Sequence, residues 1–122
     1  MVDGSDPVEV WGDGTASRDF IYVSDMVESL LKALEVCATC EPLNIGSGES
    51  VAIKDVVDRI VRLSGRSMVR IQYDASKPVT IHKQSLDVST ARSVLGFQPK
   101  VSLDEGLRRT IEWYKEHFAV LR

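Results

Sequence analysis

Four groups of residues in this chain have the types and spacing to do chemistry. The first is Arg18, in the stretch WGDGTASRDFIYVSDM between Trp11 and Met26. A guanidinium stays charged and matches phosphate oxygens in a planar fork, so it suits an anionic ligand better than a lysine does. The plainer alternative is a surface pair with Asp19 or Asp25, which would contribute little. The second is Cys37-Ala38-Thr39-Cys40, a spacing that serves redox exchange or half of a zinc site. Zinc would need two more ligands, and His82 and His117 fit no zinc spacing, so no metal is expected. The third is Gly46-Ser47-Gly48, a glycine turn that could cradle a phosphate or simply reverse the chain. The fourth is Tyr73-Asp74-Ala75-Ser76-Lys77, a tyrosine four residues before a lysine.

The elements around these residues follow from their patterns. Val8 to Trp11 alternates and predicts a short strand, turned by Gly12-Asp13-Gly14. Asp19 to Val23 is aromatic and β-branched, which predicts a second strand. Ser24 and Asp25 are helix starters, and Met26, Val27, Leu30, Leu31 and Leu34 fall on one helical face. Leu43-Asn44-Ile45 reads as a brief strand. Ile53 to Ser64 has helical spacing and stops at Gly65. Val69 to Tyr73 reads as a strand, and Asp74 to Gln84 as a loop. Asp87 or Ser89 caps a short helix that closes at Leu95-Gly96. Ser102 and Glu105 make a capping box, and the last helix turns Leu103, Leu107, Ile111, Tyr114 and Phe118 inward. The order β-β-α-β-α-β-α-α implies one α/β unit.

With 122 residues, 43% hydrophobic and 27% charged, the chain has the composition of one globular domain. A net charge of −3 argues against a general nucleic-acid binder. No apolar run approaches the roughly 20 residues of a membrane span. MVDGSDPVEV has neither the basic nor the apolar region of a signal peptide, so a cytoplasmic protein without membrane contact is expected.

Four stretches carry a resemblance: VWGDGTASRDFIYVSDM, LNIGSG, LDVSTARSVLGFQPKVSLDEGL and IEWY. In this order and spacing they resemble the C-terminal, substrate-binding portion of the extended short-chain dehydrogenase/reductases. These are the NAD(P)-dependent epimerases, dehydratases and reductases of nucleotide sugars. The resemblance runs from about Val8 to Tyr114. It implies a single substrate-binding domain over residues 1–122, a small mixed sheet with packed helices, without the complete Rossmann domain. It also implies a fragment of a larger enzyme. In the family the GxxGxxG loop and the catalytic Ser/Thr and Tyr-x-x-x-Lys lie in an N-terminal portion, before the region matched here. Tyr73 and Lys77 stand after a strand and enter a Pro-containing loop, the wrong context for that pair. No catalytic residue and no bound cofactor are therefore expected in this chain, with NAD or NADP implied for the complete enzyme.

Roles follow from the same likeness. Arg18 stands where the family's R-[DE]-F arginine contacts the nucleotide phosphates. Trp11 stands where an aromatic packs against the base, although a core tryptophan at a strand end is an equal alternative. Lys77-Pro78 resembles the step that brings a second cation to the diphosphate, and Lys83 and His82 sit in the same loop. The alternative for Lys77 is a solvated loop lysine. The ten-residue interval from Lys77 to Asp87, with Val10-Trp11-Gly12, is similar to the GDP-fucose synthase branch. That branch continues Lys-Pro-Asp-Gly where this chain has Lys77-Pro78-Val79-Thr80. The expected partner is a nucleotide sugar, held weakly because half the cleft wall is absent. A chain lacking its cofactor portion should also expose apolar surface, and the competing expectation is a free-standing binding or self-association module, here a homodimer, or an inactive remnant that still folds, with no catalytic activity.

Overall fold

The computed structural model describes residues 6–38, 41–66 and 68–118. Eight elements follow in order: β1 (Val8–Trp11), β2 (Ser17–Asp19), α1 (Val23–Val36), β3 (Ser50–Ala52), α2 (Ile53–Ser64), β4 (Ile71–Asp74), α3 (Ser89–Leu95) and α4 (Leu103–His117). The expected order is present, and the expected small sheet is divided between two ladders. β1 and β4 pair in parallel, Val8 opposite Ile71 and Trp11 opposite Asp74. β2 and β3 pair antiparallel, Arg18 opposite Val51. An isolated bridge joins Ser17 to Lys83.

Two strands differ from expectation. The second strand is Ser17–Asp19, not Asp19 to Val23. Past Asp19 the apolar run packs without a ladder: Ile21 leans on the core, and Tyr22 packs on α4, 3.0 Å from where a Cβ on Gly106 would lie. The third strand is Ser50–Ala52, whereas Leu43–Ile45 pairs with nothing among the described residues. Three residues of Ser-Val-Ala carry almost no strand signal. The ladder to β2 holds them, reinforced by the Ser50 hydroxyl, which reaches Ser17 Oγ (2.8 Å) and the Gln84 carbonyl (2.9 Å).

The helices obey their local signals in part: α1 and α3 begin after Tyr22 and Val88 with no side-chain cap, so neither Asp87 nor Ser89 caps α3. Gly65 and Gly96 stop α2 and α3 in the left-handed conformation. Ser102 Oγ accepts from Glu105 N to start α4. Asp25 departs from expectation. It sits in the first turn of α1 but does not cap it. Instead its buried Oδ2 accepts from the backbone N–H of Lys100 (3.0 Å) and Val101 (2.9 Å), tying α1 to the entry of α4. Asp104 ties α4 to α2 through Arg62 and then Arg59, whose hydrogen bonds hold its carboxyl below the usual range.

The core is Ala91, Leu95 and Phe97 from α3 and its exit, wrapped by Ile21, Ala33, Cys37, Leu43 and Ile45. Cys37 therefore reads as a packed thiol; Cys40 lies outside the described residues. Among the described residues no helix is long and apolar enough to cross a membrane.

Candidate functional site

The region around Arg18 is built by two turns and one loop. Gly12 and Gly14 both have positive φ (87° and 81°), which glycine adopts without strain. Both also need the missing Cβ. One on Gly12 would lie 2.7 Å from Val79 Cγ2, and one on Gly14 would lie 2.7 Å from the Tyr73 ring. Asp13 closes the turn by accepting from Thr15 N and Oγ1. Those bonds, with a smaller contribution from His82, hold its carboxyl below the usual range. The loop from Ala75 to Gln84 thus lies directly against Gly12 and β2. It is anchored by Ser17 N to the His82 carbonyl (2.8 Å) and by Gln84 N to the Ser17 carbonyl (3.1 Å).

Arg18 is half-buried in this seam. Its Nη1 donates to the carbonyls of Ser17 and Ile81, both at 2.8 Å. A guanidinium has five N–H groups. Nη1 carries two of them, so the edge formed by Nε and Nη2 is left uncommitted among the described residues. Neither expected carboxylate pairs with it. Asp19 accepts from Ser47 N (2.7 Å), Ser47 Oγ (2.7 Å) and Gly48 N (2.9 Å), and Asp25 faces Lys100 and Val101 as above. The surface-pair alternative for Arg18 therefore fails.

The same bonds decide the Gly46-Ser47-Gly48 turn. The amides that would have cradled a phosphate already hold Asp19. This anchoring carboxylate escaped sequence reasoning; its signal was an acid beside the arginine and a glycine turn with spare donors downstream.

Trp11 is not a core residue. It is 64% exposed, with Nε1 donating to Glu9 (2.9 Å). Lys77 Nζ lies over its ring, 5.6 Å from the centroid, and 3.8 Å from Asp74. The structure thus joins Trp11 to Lys77, and Arg18 to the loop that carries Lys77 and Lys83. The Lys83 backbone is bridged to Ser17 beside Arg18, while its exposed ammonium has no partner among the described residues. Tyr73 is turned away from this rim, under Gly14. Burial first, then Asp58 and Asp55, push its phenol up from 10.0, the wrong direction for a tyrosine that must shed a proton near neutrality.

A cleft of about 630 Å³ lies elsewhere, lined by residues that include Phe20, Ser47, Arg59 and Lys100. It contains none of Trp11, Arg18, Lys77 and Lys83, which stand at the end of β1, on β2 and in the loop from Ala75 to Gln84.

Comparison with known proteins agrees on one group. The family model described as GDP-mannose 4,6 dehydratase matches residues 1–110. GDP-L-fucose synthase 1 of Arabidopsis thaliana is 34% identical over 113 residues, which are 93% of this chain and 34% of that protein. UDP-glucose 4-epimerase of Thermotoga maritima, solved with UDP-glucose, superposes with a TM-score of 0.86 at 32% identity, over 97% of this chain and 37% of its own. UDP-glucuronic acid 4-epimerase of Bacillus cereus, solved with UDP-glucuronic acid and NAD, gives 0.81 at 31% identity over 90% and 35%. The chain spans about a third of the length of the curated relatives it matches.

Proposed function

The chain belongs to the GDP-mannose 4,6-dehydratase family of extended short-chain dehydrogenase/reductases, and from that premise we propose that it is the nucleotide-sugar-binding portion of an NAD(P)-dependent epimerase, dehydratase or reductase. Its role is to orient the diphosphate of the substrate. The observation that carries this reading is the Nε–Nη2 edge of Arg18, uncommitted among the described residues and held in place by two backbone carbonyls. A guanidinium pinned on one side presents its other side as a bidentate receptor for phosphate oxygens, with little orientation left to lose on binding. Lys77 and Lys83 add positive charge from the adjoining loop. The exposed Trp11 face offers stacking area for a base.

Hydride transfer in the complete enzyme is the work of the nicotinamide. The described residues do not fit that cofactor: the glycine turn that could meet a dinucleotide pyrophosphate is filled by Asp19. The chain is accordingly the substrate-orienting part, without turnover of its own.

Thermal unfolding with added UDP-, GDP- and dTDP-sugars tests the reading. Ligand at about 100 times its Kd should stabilise the fold by roughly 2.7 kcal/mol. Arg18→Ala should abolish that gain. No stabilisation by any of the three, or an equal gain in the variant, rejects it.

A further inference from the structure

Two cavities adjoin at the start of α4 and share Phe20, Val101, Ser102 and Leu103. The outer one is the cleft of about 630 Å³ described above, within the roughly 300–1,000 Å³ of small-molecule sites. The inner one is a hole of about 180 Å³ whose further walls include Ile21, Tyr22, Gly106 and Leu107. An apolar cavity of about 150 Å³ is large enough to take up benzene.

The walls are fixed by the chain itself. Tyr22 lies against Gly106, where a Cβ would come within 3.0 Å of its ring, and the Arg109 guanidinium stands 5.6 Å from the ring centroid. Asp25 holds the backbone of Lys100 and Val101, and Asp19 holds Ser47. Walls already in place lose little freedom when a ligand arrives.

Four charged side chains line the outer cleft: Glu49, Arg59, Lys100 and Asp104. Two are answered within the chain. Arg59 and Arg62 take the two oxygens of Asp104, and Lys100 Nζ meets both oxygens of Glu28 (2.7 Å each). The other two keep capacity. Arg59 gives Nη1 to Asp104, while its Nε and Nη2 have no partner among the described residues. The exposed Glu49 carboxylate has none there either. The cleft therefore presents a cation and an anion with bonds to spare, next to an apolar hole. A singly charged ligand would answer one of them and face the other unpaired, whereas a zwitterion answers both.

We infer that the two cavities together bind a free α-amino acid with an apolar side chain of the size of leucine or phenylalanine. Its carboxylate takes the Nε–Nη2 edge of Arg59, its ammonium takes Glu49, and its side chain enters the hole beside Tyr22 and Leu107. None of Trp11, Arg18, Lys77 and Lys83 takes part, so the inference stands or falls apart from nucleotide-sugar binding.

Titration of the whole chain with L-phenylalanine and L-leucine, followed by amide NMR, tests this. Saturable shifts are expected at Gly106 and Leu107 and not at Arg18 or Lys77. Glycine, phenylpropionate and phenethylamine lack in turn the side chain, the ammonium and the carboxylate, and each should bind more weakly by about 10-fold or more. Glu49→Gln should weaken phenylalanine to a similar degree and leave phenylpropionate unchanged. Arg59→Gln should weaken both and leave phenethylamine unchanged, with Arg62 still on Asp104 and a melting curve to check folding. The inference is overturned if neither amino acid gives saturable shifts at Gly106 and Leu107, or if Glu49→Gln binds phenylalanine as tightly as the parent chain. It is equally overturned if phenylpropionate matches phenylalanine, which would leave a site for anions alone.

Discussion

Arg18 and Asp19 are adjacent in sequence and opposite in environment. Both oxygens of Asp19 are engaged, by the amides of Ser47 and Gly48 and by the Ser47 hydroxyl. Asp25, 3% exposed, is likewise consumed by two backbone amides. These acids are structural ties whose hydrogen bonds all go to the chain itself. The cationic rim of Arg18, Lys77 and Lys83 differs: it is exposed or half-buried, with donors left over. A charge that the fold has fully consumed cannot recognise a ligand, whereas one held in position with donors to spare can. That contrast separates residues that hold the protein from those expected to hold something else.

Removing a tie should give the largest effect. Asp25→Ala strands two buried amides, so it should cost about 2–4 kcal/mol in chemical denaturation. Asp25→Asn should recover much of this, because both amides converge on Oδ2 and one amide oxygen can serve both. Asp19→Asn should recover less and cost about 1–3 kcal/mol, because its two oxygens face separate donors and an NH₂ group would meet one of them. Equal tolerance of asparagine at both sites would erase the distinction between the two ties.

The rim should respond in the reverse way. Arg18→Ala should cost only about 1 kcal/mol of stability, while removing the response to nucleotide sugars. A larger stability loss would move Arg18 into the company of Asp19. Lys77→Ala should change stability by less than about 0.5 kcal/mol.

Acid provides the smallest and finest distinction. Arg108 and then Arg109 hold the Glu105 carboxyl at about 2, below its ordinary 4.5. A depressed carboxyl stabilises the fold above its unfolded value and loses that contribution as pH falls from 4.5 towards 2. The pairs lie in water, so the effect is small. Glu105→Gln should flatten the melting-temperature profile across that window by lowering the neutral value slightly towards the acid one. An unaltered slope would show that the pairing adds nothing.

Local signals made most of the helices legible. Ile53 to Ser64 could be placed from spacing and the Gly65 stop, and the Ser102 cap set the start of α4, because caps and glycines act through their immediate neighbours. The strands were harder to read. Ser50–Ala52 is fixed by Ser17 and Gln84, residues far away in sequence, and nothing within its own three residues announces it. Leu43–Ile45 looks like a strand by pattern and has no ladder partner among the described residues. The candidate site was legible as a set of cations, and the packing added what each faces. The roles of Asp19 and Asp25 lay beyond local reading, since both looked like ordinary surface or cap acids until distant amides were placed against them.

Both indoles of this chain stand on the outside, Trp11 at 64% exposure and Trp113 at 51%, the latter stacked on His117. Emission from the folded protein should therefore already be that of water-exposed tryptophan, and unfolding should barely shift it. The optical probe that usually follows a domain's core is here stationed at its periphery. Trp11, lying beneath the Lys77 ammonium, is placed to register arrivals at the rim while remaining nearly blind to the melting of the interior.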